Sequence, residues 1–177
     1  MKQCFFCSQN VKDVDYKDES LYKGEKILIR KTGLGINAVL DKDSYVIQVI
    51  YILKKKRDDC DPRYLLGILN SILMKYYYFS KFGQKERKTF PHLTQGKVLQ
   101  LPIKIVAQEP LIDRVDKMLS LNKRLNEIGD KKTDQRARID EEIKRTDAEI
   151  DELVYKLYGI TEEEKKIIEE SLNEASH

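Results

Sequence analysis

The stretch PRYLLGILNSILMKYYYFS, residues 62–80, carries apolar side chains at the spacing of an α-helix. Asp61 precedes Pro62, and this pairs an N-cap residue with proline at the first helical position. The apolar positions are Leu65, Leu66, Leu69, Ile72, Leu73, Tyr76 and Tyr77. Burying such a side chain contributes roughly 1.5–3 kcal/mol. We therefore predict one buried helix over residues 62–80 that covers a sheet.

Three short segments before this helix are predicted to form the sheet. KILIRK (26–31) and YVIQVIYIL (45–53) are rich in β-branched and aromatic residues, and INAVLD (36–41) is short and apolar. TGLG (32–35) and DKDS (41–44) join them, and Gly, Asp and Ser favour tight reversals. These features predict an antiparallel meander, and the fold class is α+β: a small mixed or antiparallel sheet with a packed helix.

After the basic stretch that follows this helix, Thr94 is predicted to cap a short helical turn through Leu99. LQLPIKIV (99–106) is predicted to be extended, and Pro102 places it at an edge strand or a strand end.

A heptad repeat then occupies residues 111–157, and its central positions are polar. Gly129 and Asp130 predict a helix stop, with Thr133 or Asp134 as the next N-cap. The sequence therefore predicts a long helical hairpin or coiled-coil segment, and an antiparallel homodimer through residues 111–157 is the alternative. TEEEKKIIEESL (161–172) predicts a last helix that begins with a capping box.

Charge is distributed unevenly along the chain. Residues 1–105 hold 20 Lys and Arg against 11 Asp and Glu, a net charge of +9, and residues 106–177 hold 13 against 19, a net charge of −6. A basic front part indicates a polyanionic partner, and a lysine-rich solvated surface is the alternative. The sequence has no bilayer-spanning apolar run and no apolar signal core at its start. We therefore expect no membrane partner and a cytoplasmic location.

Four segments occur in an order that resembles a known family: KILIRKTG, YLLGILNSILMKYYYF, KTFPHLTQGKVLQLPI and IDELVYKLYGITEEE. They are similar to the C-terminal specificity domain of TaqI-like and Type IIG restriction–modification methyltransferases, which are relatives of Type I specificity subunits. The resemblance covers about residues 21–172. Because members of this family carry more recognition-domain sequence before the first matching strand, we expect the chain to be part of a longer protein.

The polar, aperiodic sequence of residues 1–20 predicts a flexible N-terminal arm, and the resemblance implies a partial DNA target recognition domain over 21–106. Residues 107–177 would form helices that space this domain and dock a methyltransferase or nuclease part. The sequence has neither an Asn/Asp-Pro-Pro-Tyr/Phe motif nor a glycine-rich S-adenosylmethionine loop. We therefore expect a non-catalytic module without a cofactor, whose partner is double-stranded DNA. A protein–protein interaction domain with an incidental basic face is the alternative function.

Cationic side chains cluster around the stretch GQKERKTFPHL (83–93), and aromatic residues interleave with them. Lysines can neutralise phosphates, Arg87 can make a bidentate contact to guanine, and Gln84 can make one to adenine. The residues predicted to bind DNA are Arg30, Lys31, Thr32, Lys81, Gln84, Lys85, Arg87, Lys88 and Lys97.

Glu86-Arg87-Lys88 also matches the acid-x-lysine pattern of some metal-dependent nuclease sites. The candidate partner acids, at positions 58, 59 and 61, lie before the long predicted helix and not on an adjacent strand. We therefore predict no catalytic site.

Cys4 and Cys7 form a lone Cys-x-x-Cys, and the candidates to complete a four-ligand zinc site are Cys60, His92 and His177. We predict no metal site.

Overall fold

The computed structural model describes residues 19–33, 35–55, 59–82, 93–130 and 132–174. Within these ranges the chain forms three strands and six helices, preceded by a 3-10 turn at Glu19–Leu21. The strands are β1 (Lys26–Arg30), β2 (Ala38–Asp41) and β3 (Ile50–Leu53). The helices are α1 (Pro62–Asn70), α2 (Ile72–Phe82), α3 (Gln95–Val98), α4 (Glu109–Ile128), α5 (Asp134–Tyr158) and α6 (Glu162–Glu174). The predicted α+β class is confirmed.

The sheet has the strand order β2-β1-β3, and both outer strands are antiparallel to β1. Ile29 lies opposite Ala38 on one side and Tyr51 on the other. The predicted meander is therefore wrong, because β3 pairs with β1 and not with β2. The predicted third strand also began too early: residues 42–49 form the connection that carries the chain past β1 to its far edge. Ile47 belongs to this connection and is 74% exposed. Its apolar side chain was therefore misleading as evidence for a strand.

The predicted single helix over residues 62–80 is two helices, α1 and α2, separated at Ser71. Ser71 has an extended backbone (ψ 152°), and its hydroxyl donates to the carbonyl oxygen of Ile68 at 2.8 Å. The same hydroxyl accepts the N–H of Met74 at 3.2 Å. One serine side chain therefore ends the first helix and caps the second. The predicted N-cap is confirmed, because the Asp61 carboxylate accepts the N–H of Arg63 at 2.8 Å.

Residues 99–106 form no strand, so the predicted edge strand is wrong. Tyrosine hydroxyl groups from two helices hold this segment. The hydroxyl of Tyr64 on α1 donates to the carbonyl oxygen of Lys104 at 2.6 Å. The hydroxyl of Tyr158 on α5 donates to the carbonyl oxygen of Pro102 at 2.6 Å and accepts the N–H of Lys104 at 3.2 Å. Side chains satisfy these backbone groups in place of a neighbouring strand.

Helices α4 and α5 form the predicted helical hairpin within one chain. Gly129 ends α4 with a φ of 69°, and the Thr133 hydroxyl accepts the N–H of Arg136 at 3.2 Å to cap α5. An ion pair of 2.8 Å between Arg114 and Glu149 joins the two helices. At the start of α6 the capping box is confirmed: Thr161 and Glu164 each accept the other's backbone N–H, at 3.2 and 2.9 Å.

One hydrophobic core runs from the sheet through α1 to the hairpin. It includes Ile29 of β1, Ile68 of α1, Val115 of α4 and Val154 of α5. Gly67 lets α4 approach α1 closely, since a Cβ atom there would lie 2.9 Å from Cγ2 of Val115. The helical part therefore packs directly against the part that contains the sheet.

Within the described ranges, none of the helices combines the length and the apolar composition that a bilayer crossing requires.

Candidate nucleic-acid interface

Lys31 lies where β1 ends, between the segments that precede β3 and α3. Its backbone N–H donates to the carbonyl oxygen of Val49 at 2.9 Å, and its carbonyl oxygen accepts the N–H of Leu93 at 2.7 Å. Its ammonium nitrogen lies 4.5 Å from the centroid of the Tyr51 ring. The ring holds the cation by cation–π attraction, which contributes about 0.5–1 kcal/mol at an exposed site. Arg30, the last residue of β1, is exposed next to it.

Tyr51 connects this lysine to the helix that carries Lys97. Its hydroxyl accepts the N–H of Gln95, the first residue of α3, at 3.1 Å. The ring of Tyr51 therefore contacts Lys31, while its hydroxyl binds the backbone of Gln95. Tyr51 lies in a strand, as predicted, but its role beside Lys31 was not predicted. The sequence feature that could have indicated this role is an aromatic residue on a strand predicted to lie beside the basic end of β1.

Lys81 and Lys97 lie over the same aromatic ring. Their ammonium nitrogens are 5.5 and 5.6 Å from the centroid of the Phe82 ring. Lys81 also lies 5.2 Å from the Tyr77 ring centroid and donates to the Tyr77 hydroxyl at 2.8 Å. Two of the lysines predicted to bind DNA, 16 positions apart in the sequence, are therefore adjacent in the structure.

Tyr78 is buried and packs behind Phe82. Its ring packs at a tilt against that of Phe82, with 5.4 Å between the centroids. Burial raises the pKa of Tyr78, and the neighbouring Tyr51 raises it further. Tyr78 is therefore close to the aromatic partners of both Lys31 and Lys81. We call the surface formed by Lys31, Tyr51, Lys81, Phe82 and Lys97 the cation–aromatic face.

Four of the residues predicted to bind DNA lie outside the described residues, within 83–92: Gln84, Lys85, Arg87 and Lys88. Their assignment stays a prediction. The described chain nevertheless leaves and returns beside the cation–aromatic face. Phe82 precedes this segment and contacts Lys97, while Leu93 follows it and bonds to Lys31. Thr32 is half-buried next to Lys31.

The lysines of this face carry charges that no described acid neutralises. Among the described residues, Arg30, Lys31, Lys81 and Lys97 take part in no ion pair. Aromatic rings hold Lys31, Lys81 and Lys97 without neutralising their charge, which stays available to an anion. Lys54, from the basic run 54–57, has a structural role, since its ammonium donates to the carbonyl oxygens of Ser20 and Lys23 at 2.6 and 2.7 Å.

Asp61, one of the acids considered for a nuclease site, already serves as the N-cap of α1. Its carboxylate also accepts from the Arg63 guanidinium at 2.8 and 3.0 Å, and these hydrogen bonds lower the pKa of Asp61. In the part of the chain that the structure describes, no group of three or more His, Cys, Asp or Glu side chains could hold a metal ion. Glu86, Asp58, Cys4, Cys7, His92 and His177 lie outside that part.

An α+β module with an unneutralised cation–aromatic face belongs to the class of domains suited to a polyanion. The sequence model of the TaqI-like C-terminal specificity domain matches residues 4–103, which is more than half of the chain. The chain belongs to this family, a DNA-recognition module of restriction–modification enzymes. The match contains the whole cation–aromatic face, begins within the predicted N-terminal arm and ends before α4. No curated protein matches the chain.

Proposed function

We propose that this chain recognises a specific sequence in double-stranded DNA through the cation–aromatic face and the adjoining segment 83–92. The observation that supports the proposal most strongly is that Lys81 and Lys97 share the Phe82 ring, within the residues that the specificity-domain family matches. Neither lysine is paired with an acid among the described residues. Phosphate groups supply the missing negative charge.

The roles of these side chains divide between phosphate and base contacts. Lys31, Lys81, Lys85, Lys88 and Lys97 contact phosphates and set the orientation of the domain. Arg87 and Gln84 contact base edges in the major groove, where guanine and adenine present the matching acceptors and donors. Arg30 and Thr32 contact DNA at the end of β1.

Charge and the extent of the family match support a division of roles along the chain. Residues 21–106 face DNA, whereas residues 107–177 space and dock a methyltransferase or nuclease part. The chain itself performs no catalysis and takes no cofactor, and the whole enzyme works in the cytoplasm. The acidic character of residues 106–177 supports this division, because like charges repel phosphate.

Salt-dependent binding of a labelled duplex tests the proposal. The affinity of the full chain should fall steeply between about 50 and 200 mM salt, because each neutralised phosphate releases counterions. Changing Lys81→Ala and Lys97→Ala together should reduce the slope of log K against log salt by about 0.9 for each lysine. The matched control changes Lys123→Ala and Lys144→Ala, two exposed lysines on the hairpin. Equal slopes for the two double variants would contradict the assignment of this face.

Selection of duplexes from a random pool tests the base contacts separately. The Arg87→Ala variant should lose preference at one base position, whereas Lys85→Ala and Lys88→Ala should weaken binding to all sequences about equally. An unchanged consensus and affinity in an Arg87→Ala, Lys88→Ala double variant would remove this segment from the interface. Cleavage of plasmid DNA with Mg²⁺ that is lost in Glu86→Ala would favour the nuclease alternative.

A second candidate function is protein–protein interaction. An apolar groove between β3 and the segments around α3 supports it, with Leu53, Val98, Leu99 and Ile105 among its lining residues. Leu99 is 76% exposed there. A chain with no duplex affinity even at low salt would favour this function.

An antiparallel homodimer through residues 111–157 would use the contacts between α4 and α5 in exchanged form, and sedimentation equilibrium distinguishes it from the monomer.

A further inference from the structure

The first turn of α2 receives one hydrogen-bond acceptor from the residue that precedes it and another from a distant part of the chain. Ser71, at the break after α1, accepts the N–H of Met74. The carboxylate of Asp151, on α5, accepts the N–H of Ile72 at 2.8 Å. The first N–H groups of a helix have no partner within the helix, so an acceptor placed there fixes where the helix begins. Asp151 therefore ties α5 of the hairpin to the start of α2.

The Asp151 side chain is buried, with 8% of the residue exposed. Burial raises the pKa of Asp151 to about 6, while its hydrogen bond to the Ile72 N–H opposes this rise. The acids that face it are Asp147 and Glu152 of α5 and Glu169 of α6, and they raise its pKa further. Tyr155 of α5 lies beside it, and no described cation forms an ion pair with it. The helix N-terminus provides the favourable field that a carboxylate in this position requires.

The opposite end of α2 carries two residues of the cation–aromatic face. Helix α2 runs from Ile72 to Phe82, a distance of about 15 Å at 1.5 Å per residue. Lys81 and Phe82 occupy its last two positions, and Tyr78, one turn earlier, packs behind Phe82. The helix whose first turn Asp151 caps is therefore the one that carries this lysine and this ring at its end.

We propose that Asp151 is a positioning residue for DNA binding: by holding the first turn of α2 against α5, it sets the placement of Lys81 and Phe82 opposite Lys97. The helical hairpin then acts as part of the scaffold of the interface, in addition to its proposed spacing role. This inference rests on the proposed function for its effect on DNA affinity. The effect on α2 does not depend on DNA.

Two measurements on the full chain test the proposal. Amide NMR spectra report on Lys81 and Phe82 without DNA, and duplex affinity at fixed salt reports on the interface. Asp151→Ala should shift the Ile72, Lys81 and Phe82 amides and weaken duplex binding by about threefold to tenfold, the size of one hydrogen bond. Asp151→Asn keeps an acceptor oxygen and should restore both the amide positions and the affinity. The matched control is Glu141→Ala, an exposed acid earlier on α5 that does not act on Asp151, and it should leave both unchanged.

The outcomes separate this inference from the proposed function. If Asp151→Ala leaves the Lys81 and Phe82 amides and the affinity as in Glu141→Ala, the inference is overturned. If the wild-type chain binds no duplex at low salt but Asp151→Ala still shifts these amides, the proposed function fails while Asp151 positions α2. Should Asp151→Ala not fold, Asp151→Leu fills the volume without an acceptor, and the same amide shifts and loss of affinity are expected.

Discussion

The side-chain amide of Asn70 makes two hydrogen bonds to the backbone of Ala38. Its Oδ1 atom accepts the Ala38 N–H, and its Nδ2 atom donates to the Ala38 carbonyl oxygen, each at 2.9 Å. Because β2 is an outer strand of the sheet, no described strand lies beyond these backbone groups. The last residue of α1 therefore takes the place of a neighbouring strand residue and attaches the helix to the sheet edge.

This pair predicts that both replacements of Asn70 destabilise the fold. Asn70→Ala removes both partners and should lower the free energy of unfolding by about 1–3 kcal/mol. Asn70→Asp has nearly the same shape but places a carboxylate against the Ala38 carbonyl oxygen, so at neutral pH it should cost at least as much. Urea unfolding measures both. The control Asn37→Asp changes an exposed residue next to Ala38 and should have little effect; an equal loss there would contradict the role of Asn70.

The close contact between α1 and α4 at Gly67 gives a second prediction. Alanine is normally favoured over glycine within a helix by about 1 kcal/mol. At Gly67, however, the added Cβ atom would lie 2.9 Å from Cγ2 of Val115 and 3.1 Å from Cδ1 of Leu111. Gly67→Ala should therefore destabilise the protein by about 1–3 kcal/mol because the core is overpacked.

Gly96→Ala is the matched control, since Gly96 also lies in a helix and a Cβ atom there would meet nothing within 4 Å. It should be neutral or stabilising. Thermal unfolding of both variants compares them directly. A stability gain in Gly67→Ala similar to that in Gly96→Ala would show that α4 can move away from α1 at little cost.

Local features of the sequence predicted the local structure well. Leu66, Leu69 and Leu73 indicated the buried face of the helices after Asp61, and these three residues are buried. The glycine at the hairpin turn and the capping box at Thr161 were also predicted, because caps and turns depend on residues within one helical turn of each other.

Features that depend on distant residues were not predictable in the same way. The break at Ser71 interrupts an apolar spacing that continues through it, and the acceptor for the Ile72 N–H comes from Asp151, 79 positions later. The strand order depends on the path of residues 42–49, which carry no periodic signal. In the candidate interface, the sequence indicated Lys81 and Lys97, but their sharing of one ring depends on where the end of α2 lies relative to α3.

The ion pair between the buried Lys26 and the partly exposed Asp41 predicts a loss of stability in acid. The Lys26 side chain is fully buried, and its ammonium lies 2.5 Å from Oδ2 of Asp41. Burial raises the pKa of Asp41, but hydrogen bonds from Lys26 and Ser44 outweigh it and lower the pKa from 3.8 to about 2. A depressed pKa in the folded state means that the stabilisation is present above pH 3.8 and is lost as the pH falls towards 2.

Asp41→Asn should remove this acid dependence and also destabilise the fold at pH 7, by about 3 kcal/mol or more, because it leaves a buried ammonium without its anion. Combining it with Lys26→Met should recover part of the loss, since an apolar side chain carries no charge to bury. Urea unfolding between about pH 2 and 7 provides the measurement. Asp113→Asn, at an exposed position on α4, serves as the control. Unchanged acid sensitivity in Asp41→Asn would assign it to other carboxylates.

The two roles of Tyr51 predict different effects on DNA binding for its two replacements. Tyr51→Phe keeps the ring under Lys31 but removes the hydroxyl that accepts the Gln95 N–H, so duplex affinity should fall by about twofold to threefold. Tyr51→Leu removes both and should lower affinity further. Neither variant changes the number of cations, so the slope of log K against log salt should stay that of the wild type, whereas Lys31→Ala should reduce it by about 0.9. A reduced slope in Tyr51→Leu would mean that Lys31 reaches phosphate only when the Tyr51 ring holds it. A wild-type slope in Lys31→Ala would place Lys31 outside the interface.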